Sequence, residues 1–224
     1  MSRDLRKSYA GAPLTVRVTV ATLAMLACLL VPASLDHWMF AHVYRPNLYD
    51  LDWARLLRLM GWWPTWALAS LALWLQRRSA DAVLARRQAI LLAGSVVASG
   101  LLCEVMKLVI RRERPGVDAG HWMFRAWSEH PLSTAGLATP SSHAMVAFAA
   151  ATVAARLLPR LRWVLFALAS GCAATRVLSH AHYLSDVTFG ATLGWAVGWA
   201  MWIAWGRADA TAAADGRRGG VPAP

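Results

Sequence analysis

Two histidines and an aspartate lie beside apolar segments of this chain, where ionisable groups are costly. His182 and Asp186 are four residues apart, which places them on one face of a helical turn. Asp186 can then accept a hydrogen bond from one ring nitrogen and leave the other free as a nucleophile. His143 supplies a second imidazole, which can donate a proton to a leaving oxygen when it is protonated.

Three cations accompany these groups. Lys107 and Arg114 belong to the stretch KLVIRRERP, and their spacing of seven predicts one face of a continuing helix, which Pro115 then ends. Arg176 precedes His182 by six residues. In phosphoryl transfer, negative charge spreads over the equatorial oxygens, and three such cations can neutralise it.

The stretch TPSSH predicts the start of a helix, with Ser141 or Ser142 as its N-cap. Free backbone N–H groups at a helix start bind anions, and His143 lies at the mouth of that site. The residues therefore favour phosphoryl transfer in which a histidine can attack phosphorus. The chain has no carboxylate cluster suited to a divalent metal, so we expect neither a metal nor another cofactor.

The composition is that of a membrane protein. Hydrophobic residues make up 58% of the 224 and charged residues only 16%, against about 25% charged in soluble domains. Thirteen tryptophans fit a membrane interface, and the net charge of +11 is clustered between apolar runs without a nucleic-acid motif. The three cysteines are isolated within apolar segments, which predicts buried thiols rather than disulfides or metal ligands.

Six segments are apolar enough to predict an all-α bundle of six transmembrane helices. They run near Val16–Pro32, Met60–Leu75, Ala89–Ile110, His143–Leu158, Trp163–Leu178 and Asp186–Trp205. The first follows a basic stretch, and we interpret it as a retained helix rather than a cleaved signal peptide. Residues 1–206 then form one membrane domain, and the small, polar residues 207–224 are predicted to be a disordered tail.

The arrangement of basic residues predicts the orientation. Most Lys and Arg residues fall within 1–17, 77–87, 156–162 and 207–218, which lie on one side of the six-helix arrangement. The positive-inside rule places that side, with both termini, in the cytoplasm. We therefore expect an inner-membrane protein with its active site at the outer, periplasmic ends of the helices.

These motifs resemble those of the type 2 phosphatidic acid phosphatase (PAP2) superfamily, which has three blocks: K-x6-R-P, P-S-G-H and S-R-x5-H-x3-D. The first block is matched completely, the second reads PSSH, and the third begins at Thr175 in place of serine. The resemblance covers roughly residues 107–190 and the six-helix layout. Ser142 replaces the family glycine, and its hydroxyl either adds a ligand or crowds the site.

By this resemblance His182 is the nucleophile, Asp186 orients it, and His143 protonates the leaving group and later activates water. The residues expected to bind the phosphate are Lys107, Arg114, Arg176, Ser141 and, in place of the glycine, Ser142. Among their neighbours, Glu104 is expected to form a local ion pair with Lys107. Arg111 and Arg112 either extend along the membrane toward water or contact a second phosphate.

The implied reaction is metal-independent hydrolysis of a membrane lipid phosphate or pyrophosphate. Candidate substrates are phosphatidic acid, undecaprenyl pyrophosphate, phosphatidylglycerol phosphate and lipid A phosphates. Two alternatives stay open: a lipid phosphotransferase that uses the same phosphohistidine, and a non-catalytic protein that binds lipid phosphates.

Overall fold

The computed structural model describes residues 14–116 and 121–218, and within these ranges it contains seven α-helices and no strand. The helices are α1 (Leu14–His42), α2 (Asp52–Leu59), α3 (Trp63–Arg77), α4 (Ala82–Ile110), α5 (Ser142–Leu157), α6 (Arg162–Leu178) and α7 (Leu184–Arg218). Each of the six predicted segments overlaps one of these helices, with α2 as an addition. The all-α class is therefore confirmed.

Three stretches of the described chain are long and apolar enough to cross a membrane: Ala82–Ile110, Pro159–Leu178 and Leu184–Arg207. Helix α5 is apolar but has only 16 residues. Large hydrophobic side chains such as Leu68 and Leu101 are exposed on the outside of the bundle, where lipid would cover them. These features indicate a membrane protein, whereas six spans and their orientation stay predictions.

Helix α5 is the centre of the bundle and packs against α4, α6 and α7. Its buried residues are mostly small, including Ala147, Ala150 and Ala151, so neighbouring helices can approach it from several sides. Two glycines of α7 allow that helix to approach the backbone of α5 closely. A Cβ atom at Gly190 would lie 2.7 Å from the carbonyl oxygen of Ser141, and one at Gly194 would overlap the carbonyl oxygen of Met145.

The prediction that one helix continues from Lys107 to Pro115 is wrong. Helix α4 ends at Ile110, and Arg111 adopts a left-handed conformation with φ 57°. Residues Arg112 and Glu113 then form isolated β-bridges with Phe124 and Leu137 of the following loop. Lys107 therefore lies in the last turn of a helix, whereas Arg114 lies in a loop.

Arg111 anchors this loop instead of extending toward water or binding phosphate. Its buried guanidinium donates hydrogen bonds to four loop carbonyls, those of Arg125, Ala126, Glu129 and Pro131. It also lies 4.9 Å from the centre of the Trp127 ring. Because the guanidinium is surrounded by its own loop, it can fix the path of the chain between the first and second motifs.

The two chain ends extend beyond the described residues. Helix α7 continues to Arg218, into the segment for which the composition predicts disorder, and residues 219–224 lie outside the description. The basic residues before residue 14 also lie outside it. Cys103 and Cys172 are buried and free, as predicted, while the side chain of Cys28 is not described.

Candidate active site

The second motif forms the start of α5, as predicted. Ser141 is the N-cap in an extended conformation, and the helix begins at Ser142. The hydroxyl of Ser141 is fully buried and has no hydrogen-bond partner among the described residues. It lies beside the first helical turn, whose backbone N–H groups have no acceptor within the helix. His143 is half-buried in that turn.

His182 lies in the short connection between α6 and α7. Its side chain is only 1% exposed, and both ring nitrogens lack a hydrogen-bond partner within the described chain. Its Nδ1 atom lies 3.8 Å from Oδ2 of Asp186, so the expected pair is adjacent but longer than a hydrogen bond. Nε2, the other ring nitrogen, is also buried and has no partner within the described chain.

Asp186 is fully buried in the first turn of α7. Its carboxylate accepts hydrogen bonds from the Thr139 hydroxyl and, at 2.9 Å, from the Tyr183 backbone N–H. Nη1 of Arg112 lies 3.4 Å from Oδ1. Because Thr139 immediately precedes the second motif, this one carboxylate connects the second and third motifs.

The three predicted phosphate-binding cations differ in their surroundings. Lys107 is buried and pairs with Glu104 at 2.8 Å, which confirms the local ion pair. Arg176 is buried and donates to the Tyr49 hydroxyl at 2.8 Å, while its Nε has no hydrogen-bond partner in the described structure. Arg114 is exposed and forms no ion pair with another described residue.

Four of these side chains form an electrostatic group. The charges of Arg114 and Arg176 act on both His143 and His182, so all four lie within electrostatic reach of one another. Burial lowers the pKa of His182 to about 4, and the Asp186 carboxylate offsets only part of this effect. His182 is therefore neutral near pH 7, which is the form a nucleophilic imidazole requires.

Sequence reasoning missed Arg58 and Tyr49. Arg58 lies on the short helix α2, 4.8 Å from the centre of the Tyr49 ring, and its charge acts on His143 and Arg176. These residues line a cavity of about 320 Å³ next to Arg176. The signal was present in the stretch LDWARLLRL, whose two arginines and apolar residues alternate with a helical period.

A larger cavity of about 500 Å³ lies between α3, α4 and α5. Its walls are mostly apolar and include Trp63 and Val97, while Glu104, Ser142 and His143 contribute polar groups. An apolar chain bound here would therefore end beside His143. Among the described residues, no group of three His, Cys, Asp or Glu side chains is arranged to hold a metal ion.

Comparisons with known proteins agree with the motifs. The chain is 38% identical over 107 residues to a lipid A 1-phosphatase of Rhizobium etli, covering 47% of this chain and 44% of that protein. It is 38% identical over 102 residues to a lipid A 1-phosphatase of Rhizobium johnstonii, covering 45% and 41%. The chain thus spans less than half the length of these curated relatives. No solved structure matches significantly.

The sequence profile of the PAP2 superfamily matches residues 88–209, more than half of the chain. This range contains all three motifs, from Lys107 to Asp186, the whole of helices α5 and α6, and most of α4 and α7. The chain therefore belongs to the PAP2 superfamily.

Proposed function

We propose that the protein hydrolyses the phosphate group of a membrane lipid phosphate or pyrophosphate through a phosphohistidine at His182. One observation carries the proposal: a buried imidazole, with no hydrogen-bond partner at either nitrogen, lies beside Asp186 and within electrostatic reach of Arg114, Arg176 and His143. A structural histidine of the same burial would be expected to use its nitrogens in hydrogen bonds.

In the first step, Nε2 of His182 attacks phosphorus and the bond from phosphorus to the lipid oxygen breaks. His143 in its protonated form, which the negative charge of the bound phosphate favours, gives its proton to that oxygen, so the lipid leaves as an alcohol or a lower phosphate. In the second step, His143 takes a proton from water, and the water oxygen attacks phosphorus. The bond from phosphorus to Nε2 of His182 then breaks, which releases inorganic phosphate and restores the free imidazole. Asp186 faces Nδ1 of His182 and stabilises the positive charge that the ring acquires.

The phosphate is held by charge and by a helix start. Lys107, Arg114 and Arg176 neutralise its oxygens, which carry more charge in the transition state than in the ground state. The buried Ser141 hydroxyl and the first N–H groups of α5 add hydrogen bonds. Ser142 contributes its backbone N–H and is one of the residues that line the apolar cavity.

The apolar cavity of about 500 Å³ supports a lipid substrate, because its polar residues Ser142 and His143 lie where a headgroup would meet the site. The similarity to lipid A 1-phosphatases favours a lipid A type phosphate among the candidate lipids. We further propose six membrane spans, cytoplasmic termini and a site that opens at the periplasmic face of the inner membrane, on the support of the positive-inside distribution.

A panel of lipids tests the proposal. The purified protein in detergent is given a lipid A type phosphate, phosphatidic acid, undecaprenyl pyrophosphate or phosphatidylglycerol phosphate, and inorganic phosphate is measured with and without EDTA. We expect release from at least one lipid, unchanged by EDTA. Absence of release from every lipid would contradict hydrolysis. Phosphate that appears only on an added acceptor lipid would identify a phosphotransferase.

A further inference from the structure

A buried aspartate of the first helix contacts the start of the last helix. Asp36 on α1 is 1% exposed, and its Oδ1 accepts a hydrogen bond from the Ser185 backbone N–H at 2.8 Å. Its Oδ2 accepts one from the Ser185 hydroxyl and another from Nη2 of Arg112 at 3.0 Å. Ser185 directly precedes Asp186, so α1 holds the turn that carries the aspartate behind His182.

Arg112 joins this aspartate to the site. Its Nη1 donates to the Ser185 hydroxyl at 2.8 Å and lies 3.4 Å from Oδ1 of Asp186. The guanidinium also lies 4.7 Å from the centre of the Trp122 ring and 4.5 Å from that of Tyr183. The aromatic contacts leave it little room to move, and its side chain is only 7% exposed. Arg112 therefore bridges two buried carboxylates on different helices.

The two carboxylate oxygens of Asp186 have different partners. Oδ1 is occupied by the Thr139 hydroxyl and by Arg112, whereas Oδ2 accepts the Tyr183 N–H and faces Nδ1 of His182. Buried ion pairs add little to stability compared with well-packed apolar residues, so stability alone is a weak reason for this arrangement. A fixed carboxylate, in contrast, fixes the tautomer and the direction of the neighbouring ring.

We propose that Arg112 and Asp36 are positioning residues, which hold Asp186 so that Nε2 of His182 points toward the phosphate. Neither contacts the substrate in this arrangement. Arg112 fixes Oδ1 of Asp186, and Asp36 fixes both Arg112 and the backbone of Ser185. The kinetic consequences rest on the proposed phosphatase function, whereas the orientation of the ring does not.

Loss of the Asp36 charge should act through this chain of contacts. Asp36→Asn keeps the size of the side chain and the Oδ1 acceptor but leaves Arg112 with Asp186 as its charged partner. Arg112 would then move toward Asp186 and turn that carboxylate away from the ring. A misplacement of about 1 Å can lower the rate about 100-fold. We expect kcat to fall roughly 10- to 100-fold with KM nearly unchanged, because lipid contacts are retained.

Three variants and one control test this. Asp36→Asn removes one charge, Arg112→Lys keeps the charge but loses the planar fork, and Ser185→Ala removes only a hydroxyl. The control is Asp52→Asn, which makes the same chemical change in the exposed pair between Asp52 and Arg55. Each purified protein is checked by gel filtration and circular dichroism. We then measure kcat and KM, and the ¹⁵N signals of the His182 ring in protein labelled at histidine.

We expect lower kcat, unchanged KM and altered His182 ring signals in the folded variants, and wild-type values in Asp52→Asn. If Asp36→Asn and Arg112→Lys do not fold, Ser185→Ala provides the test, and we expect it to show a smaller decrease in kcat and a smaller change in the His182 ring signals. Wild-type kcat and ring signals in the folded variants would overturn the inference, as would a loss expressed only in KM. If the wild type itself released no phosphate, the proposed function would fail, and the ring signals would still decide the inference.

Discussion

The backbone N–H of Ser141 donates a hydrogen bond to the backbone carbonyl of Asp186, across 3.0 Å. This bond joins the first residues of the second motif directly to the third, although they are 45 positions apart in the chain. It is permitted because Gly190, one turn further along α7, has no side chain to separate the two backbones. The relative position of His143 and His182 is therefore fixed in part by a main-chain contact, in addition to the side-chain contacts of Asp186.

Gly194→Ala should disturb this contact. The added methyl group would overlap the carbonyl oxygen of Met145, and such overpacking costs about 1–3 kcal/mol of unfolding free energy. Gly206→Ala on the same helix is the matched control, because nothing lies within 4 Å of its Cβ position. The midpoint temperature of thermal unfolding and the rate of phosphate release, both measured in detergent, should fall for Gly194→Ala and not for Gly206→Ala. Equal stability of the two variants would contradict close packing of α5 and α7.

His182→Ala should lower the rate of phosphate release by at least about 10³-fold, since no other group can form the covalent intermediate in the proposed mechanism. His180→Ala is the control, because this neighbouring ring stacks between Phe40 and Tyr44, at 4.0 Å and 4.2 Å between ring centres. It should keep most of the activity while losing some stability. Comparable losses of activity in both variants would argue that the substitutions act by disturbing the connection between α6 and α7.

Ser142→Gly should leave activity equal or higher. The substitution restores the family residue, and Ser142 lies on the wall of the apolar cavity beside His143, where a smaller residue gives the phosphate more room. Initial rates over a range of lipid concentrations provide the measurement. A large loss of kcat would show that the serine hydroxyl has a role of its own in this protein.

The stability of the protein should depend on pH through His182. Because burial lowers its pKa from 6.5 to about 4, the unfolded chain binds a proton over this range that the folded chain does not. The unfolding free energy should therefore fall as the pH drops from about 6.5 to about 4, with no further loss from this group below that. The charged or titratable groups acting on it are Asp186, Arg176, Arg114 and His143.

This dependence can be isolated by comparing the wild type with His182→Asn, which has no titrating ring, in thermal unfolding at pH 7 and pH 5. The wild type should lose more stability between the two conditions than the variant. An equal loss in both proteins would mean that His182 titrates normally in the folded state.

Vanadate should inhibit phosphate release competitively. Its trigonal-bipyramidal adduct with a nucleophile resembles the transition state, so it should bind more tightly than inorganic phosphate does. The inhibition constants of the two anions provide the measurement. Weaker inhibition by vanadate than by phosphate would count against attack by a histidine on phosphorus.

Residue types and spacing were sufficient to select the candidate site, because a phosphoryl-transfer site requires cations, imidazoles and a helix start in a recognisable order. They were not sufficient to predict the backbone between Lys107 and Arg114. The left-handed conformation at Arg111 ends α4, and arginine is not a residue that usually signals such an end. Its position is stabilised by loop carbonyls that approach it only after the chain has folded.

The apolar segments predicted the long helices because their length and composition are local properties. Asp36 could not be assigned in this way, since its partner Ser185 is 149 positions away. Two local signals were nevertheless available. A lone carboxylate in an apolar stretch usually has a buried partner, and the spacing of four between Gly190, Gly194 and Gly198 is typical of closely packed membrane helices.

The contact of Asp36 with Ser185 and Arg112 also bears on how far the chain can be shortened while the proposed site is kept intact. A chain trimmed to residues 88–209 would keep every motif of the superfamily but would lack α1. The guanidinium of Arg112 would lose one of its two carboxylate partners, and the N–H of Ser185 would lose its acceptor. Any shortened version intended for crystallisation or directed evolution should therefore begin before the first helix.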